Sequence, residues 1–209
     1  MTAYGSGLRA QGSESILSLE PRVGVRALRP TTDYRLPIEA PCCYREAMAT
    51  SRTAFLIDEL HRAFDGDPWH GPSFMTALAG VTQRQAQARP SADVHSIAEI
   101  VAHATSWTAE VAHRLGGHPA GDPEDGDWPI PSAIDEAGWA AMQLALANAV
   151  ARTIEAIAGF PEARWDDRVG DAREASLGTG VTYAQTVSGL VQHFAYHGGQ
   201  VAVLRKLAG

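Results

Sequence analysis

The stretch from Ser96 to Gly117, SIAEIVAHATSWTAEVAHRLGG, decides the fold. Its first four residues, Ser96-Ile97-Ala98-Glu99, form a capping-box pattern. A Ser hydroxyl accepts from an orphan amide of the first turn, and a Glu three residues on reaches back to the Ser amide. Ile97, Ile100, Val101, Ala104, Thr108, Val111 and Leu115 follow at three- and four-residue steps. That spacing gathers them on one side of a helix with 3.6 residues per turn. Gly116-Gly117 ends it. A helix with one apolar face must bury that face against other elements.

Working outward, three more long helices are expected. The first runs from about Arg45 to Phe64, with Phe55, Leu56, Leu60 and Phe64 on its apolar side, and Asp65-Gly66-Asp67-Pro68 stops it. Trp69-His70-Gly71-Pro72-Ser73 leads into a small helix around Phe74 to Leu78, and Ser91 to His95 reads as a loop. After the decisive stretch comes a polar crossover, His118 to Pro131, rich in Pro and Gly. The third long helix begins near Ser132 and runs to about Ala158, with Trp139, Met142, Leu146, Val150, Ile154 and Ile157 at near-heptad spacing. Gly159-Phe160-Pro161 breaks it. Glu162 to Gly180 reads as an irregular connection with a short strand at Trp165 to Val169. The fourth helix opens on a second capping box, Thr182-Tyr183-Ala184-Gln185, and buries Val187, Leu190, Val191, Phe194, Val201 and Leu204. No sustained strand alternation is present. The expectation is an all-α four-helix bundle with long crossover connections.

Residues 1–47 differ from the rest. Pro21, Pro30, Pro37 and Pro41 punctuate them and no helical period persists, so a disordered or loosely docked extension is expected. Helical periodicity begins just after Met48, which makes Met48 an alternative start and 48–209 the bundle domain.

Composition narrows the function classes. The formal net charge is -7, and Lys206 is the single lysine. A protein built for phosphate backbones carries a basic balance, so nucleic acid is not an expected partner. No apolar run is long enough to span a bilayer. Cys42 and Cys43 are adjacent and cannot staple the fold, so a reducing cytoplasm is the expected compartment.

His193 and His197 lie one turn apart on the fourth helix, at the edge of its apolar face. His103 occupies the corresponding edge of the second long helix. Helices packed through their apolar stripes bring such edges together, so three imidazoles can converge on one divalent cation. Eight histidines placed at random in this length give about 0.3 pairs at that spacing. Spacing alone therefore leaves open a surface pair beside a satisfied core histidine.

Four motifs resemble one family. His95-Ser96-Ile97-Ala98-Glu99-Ile100-Val101-Ala102-His103, followed by Trp107, is similar to the second-helix motif of the DinB-like (DinB/YfiT) superfamily. Asp127-Trp128-Pro129 resembles its crossover motif. His193-Phe194-Ala195-Tyr196-His197-Gly198-Gly199-Gln200 resembles its fourth-helix signature. Trp69-His70-Gly71-Pro72-Ser73 is similar to its loop after helix one. The resemblance implies an up-down-down-up bundle, and a zinc or nickel ion on His103, His193 and His197 with open positions. It also implies small-molecule transfer or hydrolysis, in some members with a low-molecular-weight thiol, and a homodimer. A non-catalytic stress-related bundle that binds a metal or small ligand is the alternative.

The histidine motif lacks the Glu of a zinc-protease helix, so a peptidase is not expected. Glu110, seven residues after His103, is the candidate base, set against a solvated surface role. Trp107, His70 and Gln200 are candidate pocket residues, and Gln200 is also placed to bond a ligating imidazole. Tyr196 reads as a packing residue, and His61, His113 and His118 as surface residues. Substrate, thiol and native metal are not legible.

Overall fold

The computed structural model describes residues 51–170 and 179–209. The expected extension 1–47, the alternative start at Met48 and residues 45–50 lie outside the described residues; the first helix, expected from about Arg45, starts at Arg52, because Ser51 is extended and caps it.

The described chain is all-helical. Four long helices are α1 (Arg52–Phe64), α4 (Ile97–Leu115), α5 (Glu136–Gly159) and α6 (Tyr183–Leu207); two short ones are α2 (Phe74–Leu78) and α3 (Gln83–Gln87). They pack as a ring: α4 lies against α5 and α6, and α1 against the same two. Sequence neighbours α1 and α4 are thus diagonal, as are α5 and α6. The connections between them cross the bundle, so it is no simple up-down-up-down array.

Local chemistry explains the helix starts. Ser96 Oγ accepts from the Glu99 amide at 3.2 Å, and the Glu99 carboxylate accepts from the Ser96 amide at 2.8 Å. Arg89 pairs with the same carboxylate. Thr182 and Gln185 repeat the box on α6. Past α4, Gly117 takes φ +88°, a left-handed conformation that costs a glycine little and turns the chain into the crossover. The seven expected core residues of α4 are all buried, and the α6 face is buried from Val187 to Leu204 with Val191 half-buried.

Several expectations are corrected. Phe55 is 59% exposed, because the buried arc of α1 is Leu56, Leu60, Ala63 and Phe64, and Phe55 lies about 100° off it. The third long helix starts at Glu136, not Ser132. Gln87 bonds both backbone groups of Ile134, which holds that segment out of the helix, and Asp135 caps instead. Helix α3 was not anticipated. No strand forms at Trp165 to Val169; among the described residues there is a single bridge, Arg168 to Thr182, after the 3-10 turn Glu162–Arg164. No helix among them is long and apolar enough to cross a membrane.

Candidate metal centre

Packing of α4 against α6 sets His103 beside His193 and His197. The His193 Nε2 lies 2.9 Å from the His103 Nε2 and 3.0 Å from the His197 Nε2. His103 and His197 are buried, and His193 is half-buried.

Two rings are fixed from behind. The His103 Nδ1 donates to the Asp127 backbone oxygen at 2.6 Å, and the His197 Nδ1 donates to the Gln200 Oε1 at 2.6 Å. A neutral imidazole carries one N–H, so both rings turn a bare Nε2 lone pair inward. The His193 Nδ1 is buried with no hydrogen-bond partner among the described residues. If His193 carries its proton on Nδ1, that donor is buried unpaired and three bare nitrogens meet. If the proton sits on Nε2, it satisfies one neighbour and leaves the other facing it. Neither tautomer completes the cluster, whereas a cation satisfies all three lone pairs at once. This donor set fits a divalent metal.

Electrostatics act in the same direction. Burial lowers His193 to about 3, and repulsion from protonated His197 and His103 adds to the effect. Burial lowers His197 to about 4, against an upward pull from its Gln200 bond. Burial also lowers His103, opposed in part by Asp127. All three rings are therefore neutral at pH 7, the state that binds metal.

The crossover closes the centre. The Trp128 ring stacks on His103 at 3.9 Å and 8°, and His95 stacks on the other indole face at 3.7 Å and 3°. Trp107 is half-buried with its ring 6.5 Å from His103, and its Nε1 donates to the Asp127 carboxylate at 2.6 Å. Gly126, at φ +86°, turns the chain so that its carbonyl meets the Ser106 hydroxyl at 2.7 Å. Sequence reasoning placed Asp127, Trp128 and His95 in motifs but gave them no role. The signal was their position in those motifs.

The other candidates are elsewhere. Glu110 is buried, not solvated: its carboxylate accepts from Arg114 at 2.7 Å and from the Gly121 amide at 3.2 Å. His70 is exposed beside a surface pocket that includes Arg62 and Val191. Tyr196, expected to pack, is instead 65% exposed, with its ring 5.0 Å from that of His197. Gly198 is buried against Phe74, with room for a Cβ at 3.9 Å, so no close approach demands glycine there. His61, His113 and His118 are exposed as expected. A groove of about 650 Å³ runs between α6 and the loop before α4. Ile100, Val203 and Leu204 line it, and its wall includes Gln200, which holds His197 from behind, and His95, which stacks on Trp128.

The sequence model of the DinB superfamily matches residues 69–201. Neither a curated protein nor a solved structure matches the chain.

Proposed function

The chain belongs to the DinB superfamily, and on that premise we propose that it is a metal-dependent enzyme acting on a small molecule. His103, His193 and His197 would hold one divalent cation, zinc or nickel. The observation that carries the reading is the meeting of three imidazole nitrogens that no tautomer satisfies. Membership also supports an up-down-down-up order for the four long helices.

When bound, such a cation acts as a Lewis acid that acidifies a water or thiol it receives, which suits hydrolysis or thiol transfer. The chain's own residues do the rest. Asp127 and Gln200 hold two rings in the ligating tautomer. Burial keeps the rings unprotonated. Glu110 is engaged by Arg114 and Gly121, so no base is assigned.

Metal analysis of protein prepared without a histidine tag tests the reading. About one divalent ion per chain is expected, lost in His193→Ala; a metal-free preparation that takes up no zinc or nickel would overturn it. Turnover of an electrophile with and without added thiol then separates transfer from hydrolysis. The near-complete burial of His103 and His197 favours a second reading, a bundle that sequesters metal without catalysis. A loaded protein that exchanges no water or thiol at the metal would select it.

A further inference from the structure

A ligating imidazole must be fixed in two ways: which nitrogen is bare, and how the ring plane lies. For His103 the first is set by the Asp127 carbonyl, which accepts the Nδ1–H at 2.6 Å. One hydrogen bond on a ring edge still lets the plane rock about that bond. The second constraint comes from the next residue. The Trp128 indole covers the His103 face at 3.9 Å with the planes 8° apart. It also meets the His197 ring near-perpendicularly at 6.0 Å. Its far face is covered by His95 at 3.7 Å and 3°, so the indole is sandwiched between two imidazoles. The crossover carrying it is tied to α4 through Ser106 and Trp107.

We propose that Trp128 is a positioning residue of the metal centre: it locks the His103 plane by stacking, with His95 as the backing plate, so that consecutive crossover residues fix tautomer and plane. The stack sits on the face of His103, not on its ligating nitrogen, so Trp128 acts through His103. The affinity arm of the test rests on the metal reading above; the ring arm does not.

Zinc affinity is measured by competition with a chromophoric chelator for wild type, Trp128→Leu, Trp128→Phe and His95→Leu. Loss of an outer partner of a ligand costs roughly 10- to 100-fold in affinity, and Trp128→Leu is expected in that range. Trp128→Phe keeps an aromatic face and restores most of the loss, while His95→Leu gives a smaller loss. In a His103→Ala background, Trp128→Leu changes affinity by less than about twofold, because the residue it positions is gone. A full loss in that background, or unchanged affinity in the single variant, overturns the proposal.

The second arm needs no metal. In metal-free protein the His103 ring Cε1–H signal is expected sharp in wild type and Trp128→Phe, and broadened or split in Trp128→Leu. An unchanged ring signal overturns the proposal even if affinity falls. If wild type takes up no zinc, the metal reading falls and the ring signal alone decides the role of Trp128. If Trp128→Leu does not fold, His95→Leu is read by both arms, and no change in either overturns the proposal.

Discussion

Helix α4 carries two buried polar clusters about two turns apart, one around His103 and one around Glu110, and they differ in what they lack. The Glu110–Arg114 cluster is complete. A carboxylate meets a guanidinium at 2.7 Å, takes the Gly121 amide, and leaves Arg114 to bond the Gly121 carbonyl at 3.1 Å. The charges are opposite and the donors match the acceptors. In the histidine cluster like atoms face each other, and one buried nitrogen has no partner among the described residues. A satisfied cluster is architecture: here it pins the start of the crossover to α4. An unsatisfied one needs something from outside.

The largest expected effect breaks the complete cluster. Glu110→Ala leaves Arg114 buried and unpaired, at a cost of about 3–5 kcal/mol. Urea or thermal unfolding measures it. A loss under about 1 kcal/mol would mean that Glu110 is held for some purpose other than structure.

Breaking the incomplete cluster should look different. His193→Ala removes one of three facing acceptors, so metal-free stability should change by less than about 1 kcal/mol. What disappears is the gain on adding zinc. For wild type that gain is about 2.7 kcal/mol at a free zinc concentration a hundred times Kd. A chelator should return wild type, but not the variant, to the metal-free melting temperature. A large metal-free loss in His193→Ala would place the triad with the architecture instead.

Acid sharpens the contrast. The folded-state values of His193 and His197, about 3 and about 4, lie below the ordinary 6.5. Between folded and unfolded values the unfolded chain binds more protons, so metal-free stability rises with pH through that interval. Acidification therefore costs stability from near 6.5 downward toward 4 and 3. Unfolding midpoints between neutrality and about pH 4.5 should fall less steeply in His193→Ala than in wild type. Equal slopes would mean that these rings are not the groups responsible.

How much of this the sequence carries depends on how local each feature is. The boxes at Ser96 and Thr182 use four adjacent residues, so they are legible and they hold. The Thr82–Gln85 box is equally local, yet a five-residue helix shows no apolar period to draw the eye. Ser132 and Asp135 are both able caps, and the choice is made by Gln87, far away in sequence. Phe55 and Leu56 stand about 100° apart on the wheel, at the two edges of one expected apolar side, and only the packing neighbours decide which edge is buried. The three histidines are legible because side-chain type and helical strip carry them. Their holders are less so, since Asp127 acts on His103 through its backbone carbonyl and Trp128 through a stack across the crossover. Glu110 and Arg114 are an i, i+4 pair, a signal already present in the sequence.

Trp107 sits between the two clusters and gives the smallest effect. Its indole N–H donates to Asp127, whose carbonyl holds His103, while the Arg114 guanidinium lies 5.7 Å from the centre of its ring. Trp107→Phe keeps a ring under Arg114 and removes only the donor. The half-exposed Asp127 carboxylate can turn to water, so the loss in stability should stay under about 1 kcal/mol. Zinc affinity should fall by less than about tenfold, because the carbonyl bond to His103 does not pass through the lost donor. If Trp107→Phe and Glu110→Ala prove strongly non-additive in stability, the two clusters are one network, and the division into a finished and an unfinished half fails.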